Sequence, residues 1–463
     1  MQPIRYRELY CPAHFGNSYE VMWPREMRQV LSEAKEWGFT VYGDWFDNAD
    51  LKNPKKAGRH ETSFSRVYRE RKIAHYRTAF DLGFKLDLVL TPNHVYLDQL
   101  HSDLLADASN EKYFGQLLCP SKPEAWEIII ANHRELFDSL ASEGVRLDSL
   151  SACPFDYGGC ACDQCAPWIV TFGKLYRDIH ETAREFFPEI RARLVGWWWT
   201  KEDHERFHRW AEAKAPGTFV SLASFIPYGK TAPDTRLTYP EGCEPHAFVH
   251  IGYGEGIDPI DEYGPWGPVV APRRIEGTVR ELSHDGYTGL MAYSEGVFDD
   301  VNKALLGGLA SGMFGGWEAA LEAYADRYLG ARGAERAAWV EWIAGWGEPF
   351  AVDAKGARAT FDRLSPGARQ SWRLEQLEAK LRIFEAHDEV KNASKWDERR
   401  LGSAERFFAE RERLQRDIWG LGLVRHVLNA DHWRPHQPSW FEEWRSHLGS
   451  VPPRERRGTA GEA

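Results

Sequence analysis

From residue 3 to about residue 315 the hydrophobic pattern of this 463-residue chain switches repeatedly between two periods. A stretch with apolar positions three and four residues apart stops at a glycine. A short, nearly continuous apolar run follows at once and ends in aromatic, acidic or histidine residues. Spacing of three and four marks one face of a helix. A run of four to eight apolar residues reads as a strand buried on both sides. The joints are Gly38, Gly83, Gly144, Gly217 and Gly286. Glycine just past a helix takes the left-handed backbone that a side chain resists.

The first helical stretch shows the logic. Pro24 suits a first helical position, where its missing N–H costs nothing. Met27, Val30, Leu31, Ala34 and Trp37 then form one apolar stripe, while Arg25, Glu26, Arg28, Glu33 and Lys35 face elsewhere. Such a helix covers a sheet on one side and meets water on the other.

The pattern predicts strands near 4–11, 40–45, 85–90, 146–152, 191–197, 218–224, 247–252 and 289–293. It predicts helices near 24–37, 66–82, 122–143, 169–187, 203–214, 272–284 and 299–312. The interval 227–244 reads as a long loop, so the sixth helix is the weak one. Regular alternation of strand and helix means a parallel sheet, and eight units in about 310 residues fit a (β/α)8 TIM barrel. The rival is an open doubly wound sheet, which would carry a glycine-rich phosphate loop after the first strand. Cys11-Pro-Ala-His-Phe-Gly-Asn17 is no such loop.

After residue 316 strand runs cease. Trp317, Leu321, Tyr324 and Tyr328 keep helical spacing, as do Leu374, Leu377, Leu381 and Phe384, and then Phe407, Leu414 and Ile418. The expected organisation is a catalytic barrel over 1–316, a C-terminal α-helical domain over 317–450, and a disordered polar tail over 451–463.

Composition narrows the function. A net charge of −11 without a basic block argues against nucleic acid. No stretch reaches 18 apolar residues, so a membrane span is not expected, and the N-terminal residues lack a signal peptide's apolar segment. A cytoplasmic location is the default expectation. Twenty tryptophans stand beside five methionines. Most fit core packing, but a tryptophan at a barrel mouth also offers a flat apolar face to a sugar ring.

Barrel chemistry sits at the C-terminal ends of the strands. Those ends supply His14, then Asp44, Trp45 and Asp47, then Asn93 and His94, then Asp156 and Tyr157. The later strands add Trp197, Trp198 and Trp199, then Ser224 and Tyr228, then His250, Tyr253 and Glu255. The last adds Tyr293, Glu295, Asp299, Asp300 and Asn302. A single strand-end acid is more often a helix cap than a catalyst; the collection is what points to a site. No nucleophile elbow and no phosphate loop occur.

Two segments stand out, Cys153-Pro-Phe-Asp-Tyr-Gly-Gly-Cys-Ala-Cys-Asp-Gln-Cys-Ala-Pro-Trp168 and Met291-Ala-Tyr-Ser-Glu-Gly-Val-Phe-Asp-Asp-Val-Asn-Lys303. Together they resemble segments of (β/α)8-barrel glycoside hydrolases, loosely the group around families 20, 67 and 84 and its uncharacterised relatives. The resemblance implies a catalytic acid after the fourth strand and an appended helical domain. The chain departs from the family 20 pattern, with Asp156-Tyr157 in place of an Asp-Glu pair.

Glycoside hydrolysis needs two carboxyl groups flanking the bond. Asp156 and Glu295 are the candidates, with Glu255 as a competing partner. Strands four and eight lie across a barrel from one another, which favours the gap of about 6.5–9.5 Å that admits water and gives inversion. His14, Asp44, Trp45, Asn93, His94, Tyr157, Trp197, Trp198, Tyr253, Glu255 and Tyr293 are the candidate substrate-binding residues. The substrate class expected is an oligosaccharide or glycoconjugate, with no catalytic cofactor and with a homo-oligomer left open. Two alternatives stand beside this reading. One is a metal-dependent isomerase or epimerase using His14, Asp44, His94, His250 and Glu255. The other is a non-catalytic carbohydrate-binding barrel.

Seven cysteines remain to be placed. Cys11, Cys119 and Cys243 read as scattered and buried. Cys153, Cys160, Cys162 and Cys165 cluster, and in a reducing compartment clustered thiolates suggest a structural zinc. The expectation is Cys160, Cys162 and Cys165 as ligands, with His180 or His204 able to complete the set. Free thiols packed in a tight loop are the alternative.

Overall fold

The computed structural model of the protein describes residues 2–13, 18–46, 64–113, 115–156, 158–227, 230–255, 267–346, 352–392 and 398–418. Eight parallel strands close into a barrel in chain order. They are β1 Tyr6–Tyr10, β2 Val41–Trp45, β3 Lys85–Leu90, β4 Ser149–Ala152, β5 Arg191–Gly196, β6 Phe219–Phe225, β7 Glu244–His250 and β8 Gly289–Tyr293. β8 returns to β1, with Tyr6 opposite Gly289 and Tyr10 opposite Tyr293.

The surrounding helices are α1 Pro24–Glu36, α2 Phe64–Asp81, α3 Pro123–Ser142, α4 Trp168–Arg184, α5 Lys201–Lys214, α6 Pro272–His284 and α7 Asp300–Ala310. Among the described residues no helix separates β6 from β7, and β7 begins earlier than the apolar pattern implied. The five glycine joints all have positive φ, from 70° at Gly217 to 101° at Gly38. Gly38 is excluded from bearing a side chain twice over, because a Cβ there would lie 2.6 Å from Ser311 Cβ.

The barrel interior is layered. The layer towards the C-terminal ends of the strands is apolar, built from Tyr10, Trp45, Val89, Val195, Phe248 and Met291. The layer beneath is polar. There the Tyr6 hydroxyl donates to Glu8 Oε2 at 2.9 Å, the Ser149 hydroxyl donates to Asp87, and Arg193 donates to Ser221 at 2.7 Å. The Arg193 guanidinium also lies over the Tyr6 ring at 4.1 Å. Gly43 makes room for this layer, since a Cβ there would fall 2.1 Å from Glu8 Oε1. Burial first, and repulsion between the two carboxyls second, hold Glu8 well above the ordinary carboxylate range.

Helices continue beyond the barrel: α8 Trp317–Tyr324, α9 Gly333–Ala344, α10 Ala354–Leu364, α11 Trp372–Asn392 and α12 Glu398–Arg413. Trp339, Trp342 and Trp346 pack with Phe361 and Phe384 as their core, which accounts for part of the tryptophan excess. Arg373 on α11 clamps these helices to the barrel. It donates to Asp300 on α7 at 2.6 and 2.9 Å and to Glu33 on α1. No helix of the described residues is long and apolar enough to cross a membrane. The tail 451–463 lies outside the described residues.

Candidate active site at the barrel mouth

The strand ends deliver an aromatic floor. Tyr10 contacts Tyr293 at 5.4 Å between ring centroids, Tyr293 contacts His250 at 5.0 Å, and His250 contacts Trp197 at 5.0 Å. Trp197 meets Phe225 edge-on at 4.7 Å and carries Trp198 stacked on it at 5.3 Å. Tyr253 closes against His250 at 5.3 Å. Burial among these rings, with Arg274 nearby, pushes the His250 imidazole down to about 3, so the ring is neutral at ordinary pH. Trp45 and Tyr293 join the same cluster.

The three consecutive tryptophans have different tasks. The segment 197–199 forms the tight turn from β5 into α5, closed by Trp199 N–H donating to Gly196 O at 3.2 Å. Thr200 then caps α5, with Asp203 N–H donating to its hydroxyl at 3.1 Å. Trp197 and Trp198 stay half-buried at the mouth. Trp199 turns outward to Phe172, His204 and Phe207 between the helices.

Two residues here carry backbone strain. Asp156 has φ 63° and Trp198 has φ 59°, a region that non-glycine residues populate at a cost. Such outliers persist where surrounding contacts over-determine them, and they concentrate at functional sites. The contacts are visible. Asp156 N–H donates to Lys112 O at 3.1 Å, and Lys112 Nζ donates to Trp198 O at 2.8 Å. The Lys112 ammonium also sits 4.8 Å above the Phe155 ring. Phe155 in turn stacks on Tyr113 at 6.0 Å. Gly159 lets this loop approach, because a Cβ there would lie 2.2 Å from Tyr113 Cδ1. Asn93 fastens it to the end of β3, donating to Gly159 O at 2.8 Å and accepting from Gly159 N–H at 3.0 Å. Asn93 is thus a loop fastener, and it is fully buried.

Glu295 follows β8 and is 2% exposed. Its N–H donates to Asp299 Oδ2 at 2.7 Å. Asp299 also accepts from the Ser294 hydroxyl at 2.9 Å and from Lys303 Nζ at 2.6 Å. Lys303 further donates to Gly296 O at 2.6 Å. Gly296 has φ 140°, and Ser18 Oγ would lie 2.3 Å from a Cβ there. This buried mesh holds the Glu295 backbone from below. Asp299 and Asn302, both strand-end candidates, serve as scaffold: Asn302 donates to Ile251 O at 2.7 Å and to Tyr253 O at 2.9 Å.

Two sequence candidates are engaged elsewhere. Asp44 is completely buried and pairs with Lys72 on α2 at 3.0 Å, while accepting from Ala13 N–H at 3.0 Å and Trp45 N–H at 2.7 Å. Trp45 faces into the barrel, so its neighbour Asp44 faces out. Glu255 caps α6, accepting from Arg273 N–H at 2.8 Å and Arg274 N–H at 3.1 Å. Asp44 is thus satisfied by backbone donors and a lysine, and Glu255 by the first backbone N–H groups of α6. His94 is buried beside Leu117, in the bridge that ties the loop after β3 to itself. His14, Asp47, Tyr157 and Tyr228 lie outside the described residues.

The cysteine loop also differs from expectation. Cys153 points into the apolar cluster of the mouth, and burial followed by the nearby Asp156 charge raises its thiol well above the ordinary value. Cys119, read from sequence as isolated, joins Cys160, Cys162 and Cys165 instead, and all four sulfurs lie within 4.8 Å of one another. His180 Nε2 donates to Ile190 O at 3.0 Å, and His204 packs on Trp199, so neither belongs to the group. Among the described residues this is the one cluster of three or more His, Cys, Asp or Glu side chains with ion-binding spacing. Lys112 and Cys119 sit in a loop without periodicity. The signal that would have found Cys119 is topological, since the loops after β3 and β4 are neighbours around the barrel.

No protein-family model and no curated protein sequence matches the chain. Several solved structures resemble it. An O-GlcNAc hydrolase variant of Thermobaculum terrenum gives a TM-score of 0.47 at 10% identity, over 90% of this chain and 81% of that one. The catalytic domain of a β-amylase from Paenibacillus polymyxa gives 0.39 at 9% identity, over 75% and 100% respectively. A sugar phosphate isomerase/epimerase from Parabacteroides distasonis gives 0.39 at 10%, over 67% and 95%.

Proposed function

We propose that the chain is a glycoside hydrolase whose mouth binds an oligosaccharide or glycoconjugate. Asp156 is the general acid and Glu295 the general base. Asp156 protonates the leaving glycosidic oxygen. Glu295 takes a proton from a water that attacks the anomeric carbon as the C–O bond breaks. β4 and β8 stand four places apart in a ring of eight strands, which supports the wide spacing of an inverting pair.

The observation that carries the reading is the joint strain at Asp156 and Trp198. An acid and a tryptophan are held side by side in costly backbone at adjacent strand ends, beside a half-exposed aromatic stack. Aromatic faces receive sugar rings, and a strained, latched loop gives an acid a fixed position. The isomerase alternative loses support because Asp44 and Glu255 spend their oxygens elsewhere. Screening aryl glycosides and natural oligosaccharides, with NMR of the first anomer released, tests the proposal. Turnover with inverted configuration supports it. Saturable sugar binding without turnover of any glycoside would leave a carbohydrate-binding barrel in its place.

A further inference from the structure

From the sulfur geometry we infer that Cys119, Cys160, Cys162 and Cys165 form a closed, structural zinc site joining the loops after β3 and β4. The Sγ atoms of Cys119 lie 3.6, 3.7 and 3.7 Å from those of Cys160, Cys162 and Cys165, and Cys160 Sγ lies 3.5 Å from Cys162 Sγ. A tetrahedral ion with Zn–S bonds of about 2.3 Å separates its sulfurs by about 3.8 Å, close to this set. A disulfide needs about 2.05 Å, and it joins sulfurs in pairs rather than drawing four to one centre.

The surroundings fit thiolates. Asp107 N–H donates to Cys160 Sγ at 3.4 Å, and the Ser121 hydroxyl lies 2.9 Å from Cys119 Sγ. Cys165 N–H closes on Cys162 O at 2.9 Å, a tight turn that presents both sulfurs to one point. Cys119, Cys160 and Cys165 are buried and Cys162 is half-buried. Four thiolates fill a tetrahedron and leave no position for a reacting water, which is the signature of a structural centre. Sulfur-only tetrahedral sites select zinc or iron among common metals; zinc is the assignment, and elemental analysis separates it from iron. Loading displaces a proton from each thiol still protonated, at most four.

The placement gives the ion a task. One ligand comes from the loop that contains Lys112, and three come from the loop that contains Asp156. A single ion therefore cross-links two loops that lie outside the strands and α-helices of the barrel. The site stands whether or not the chain cleaves glycosides.

Elemental analysis of the full-length protein, purified without added metal, tests it. About one zinc per chain is expected, falling several-fold in Cys119→Ser and unchanged in Cys243→Ser. Protein expressed in cobalt-supplemented medium keeps the test independent of the folding of the serine variant. It should show thiolate-to-cobalt charge transfer and the intense visible bands of a tetrahedral sulfur site. Protein with neither stoichiometric zinc nor these bands overturns the inference. So does stoichiometric iron, or zinc retained in Cys119→Ser.

Discussion

Asp156 and Trp198 are bound to each other through one lysine. Asp156 donates its N–H to the Lys112 carbonyl at 3.1 Å, and Lys112 passes its ammonium to the Trp198 carbonyl at 2.8 Å. Both residues hold left-handed backbone, at φ 63° and 59°. One residue thus secures the acid through its backbone carbonyl and the aromatic platform through its ammonium. Lys112→Met removes the charged donor, a bond worth about 1.5–3 kcal/mol, and frees the Trp198 turn to relax against the Asp156 loop. Turnover on the best substrate should fall while far-UV circular dichroism stays unchanged. Full activity in this variant would mean that the latch does not position the site.

Trp198 offers a way to separate strain from binding. Left-handed backbone costs a non-glycine residue about 1–2 kcal/mol, and glycine avoids that cost. Trp198→Gly should therefore be more stable than Trp198→Ala by about 1 kcal/mol in urea unfolding, although glycine is usually the less stable choice. Both should raise KM about tenfold, the worth of roughly 1.4 kcal/mol of lost stacking. Equal stabilities would place the strain elsewhere in the turn.

The polar layer inside the barrel makes stability depend on pH. Burial, then Asp87, keeps the Glu8 carboxyl protonated in the fold to well above its ordinary range. The unfolded chain releases that proton near pH 4.3, roughly the free value. Between the two, the folded state holds more protons, so rising pH costs stability, by up to about 1.4 kcal/mol per unit. Glu8→Gln removes this dependence. The variant should gain on wild type in melting temperature as pH rises above the free value of about 4.3. A difference that stays constant with pH would show that Glu8 is ionised in the fold.

Arg373 should be costly to lose. Its guanidinium joins Asp300 and Glu33 across three helices, and it is 5% exposed. Burial pulls the Asp300 carboxyl upward, but Arg373 outweighs it and the net shift is downward. Arg373→Met strands two acids in a half-dry interface, at about 3–5 kcal/mol. The stability Asp300 contributes is present above its unfolded value and lost as pH falls through its folded one, so the variant should lose the acid limb of the pH–stability curve. A loss under about 0.5 kcal/mol by urea titration would argue that the C-terminal helices dock by other contacts.

The barrel was legible because five of its helices run into a glycine with left-handed backbone, as at Gly38 and Gly217. The aromatic floor was partly legible, since Trp197 and Tyr293 follow buried runs. Strand parity carries a further signal: Trp45 faces inward, so Asp44 cannot. Other features depend on distance along the chain. Glu255 caps a helix that starts at Pro272, and Cys119 meets sulfurs more than 40 residues away. Lys112 belongs to a segment with no period at all. Local pattern carries no information about such meetings; only the closed order of the strands does.

The most direct measurement is turnover of Asp156→Asn and Glu295→Gln on one natural oligosaccharide and one aryl glycoside with an acidic leaving group. Each amide is isosteric and should leave the fold intact. Both variants should lose about 10²-fold or more on the oligosaccharide, the usual worth of acid–base assistance. Asp156→Asn should recover much of its loss on the aryl glycoside, which needs little protonation, and Glu295→Gln should not. Near wild-type hydrolysis of the oligosaccharide by both variants would contradict the assignment of these two carboxyl groups.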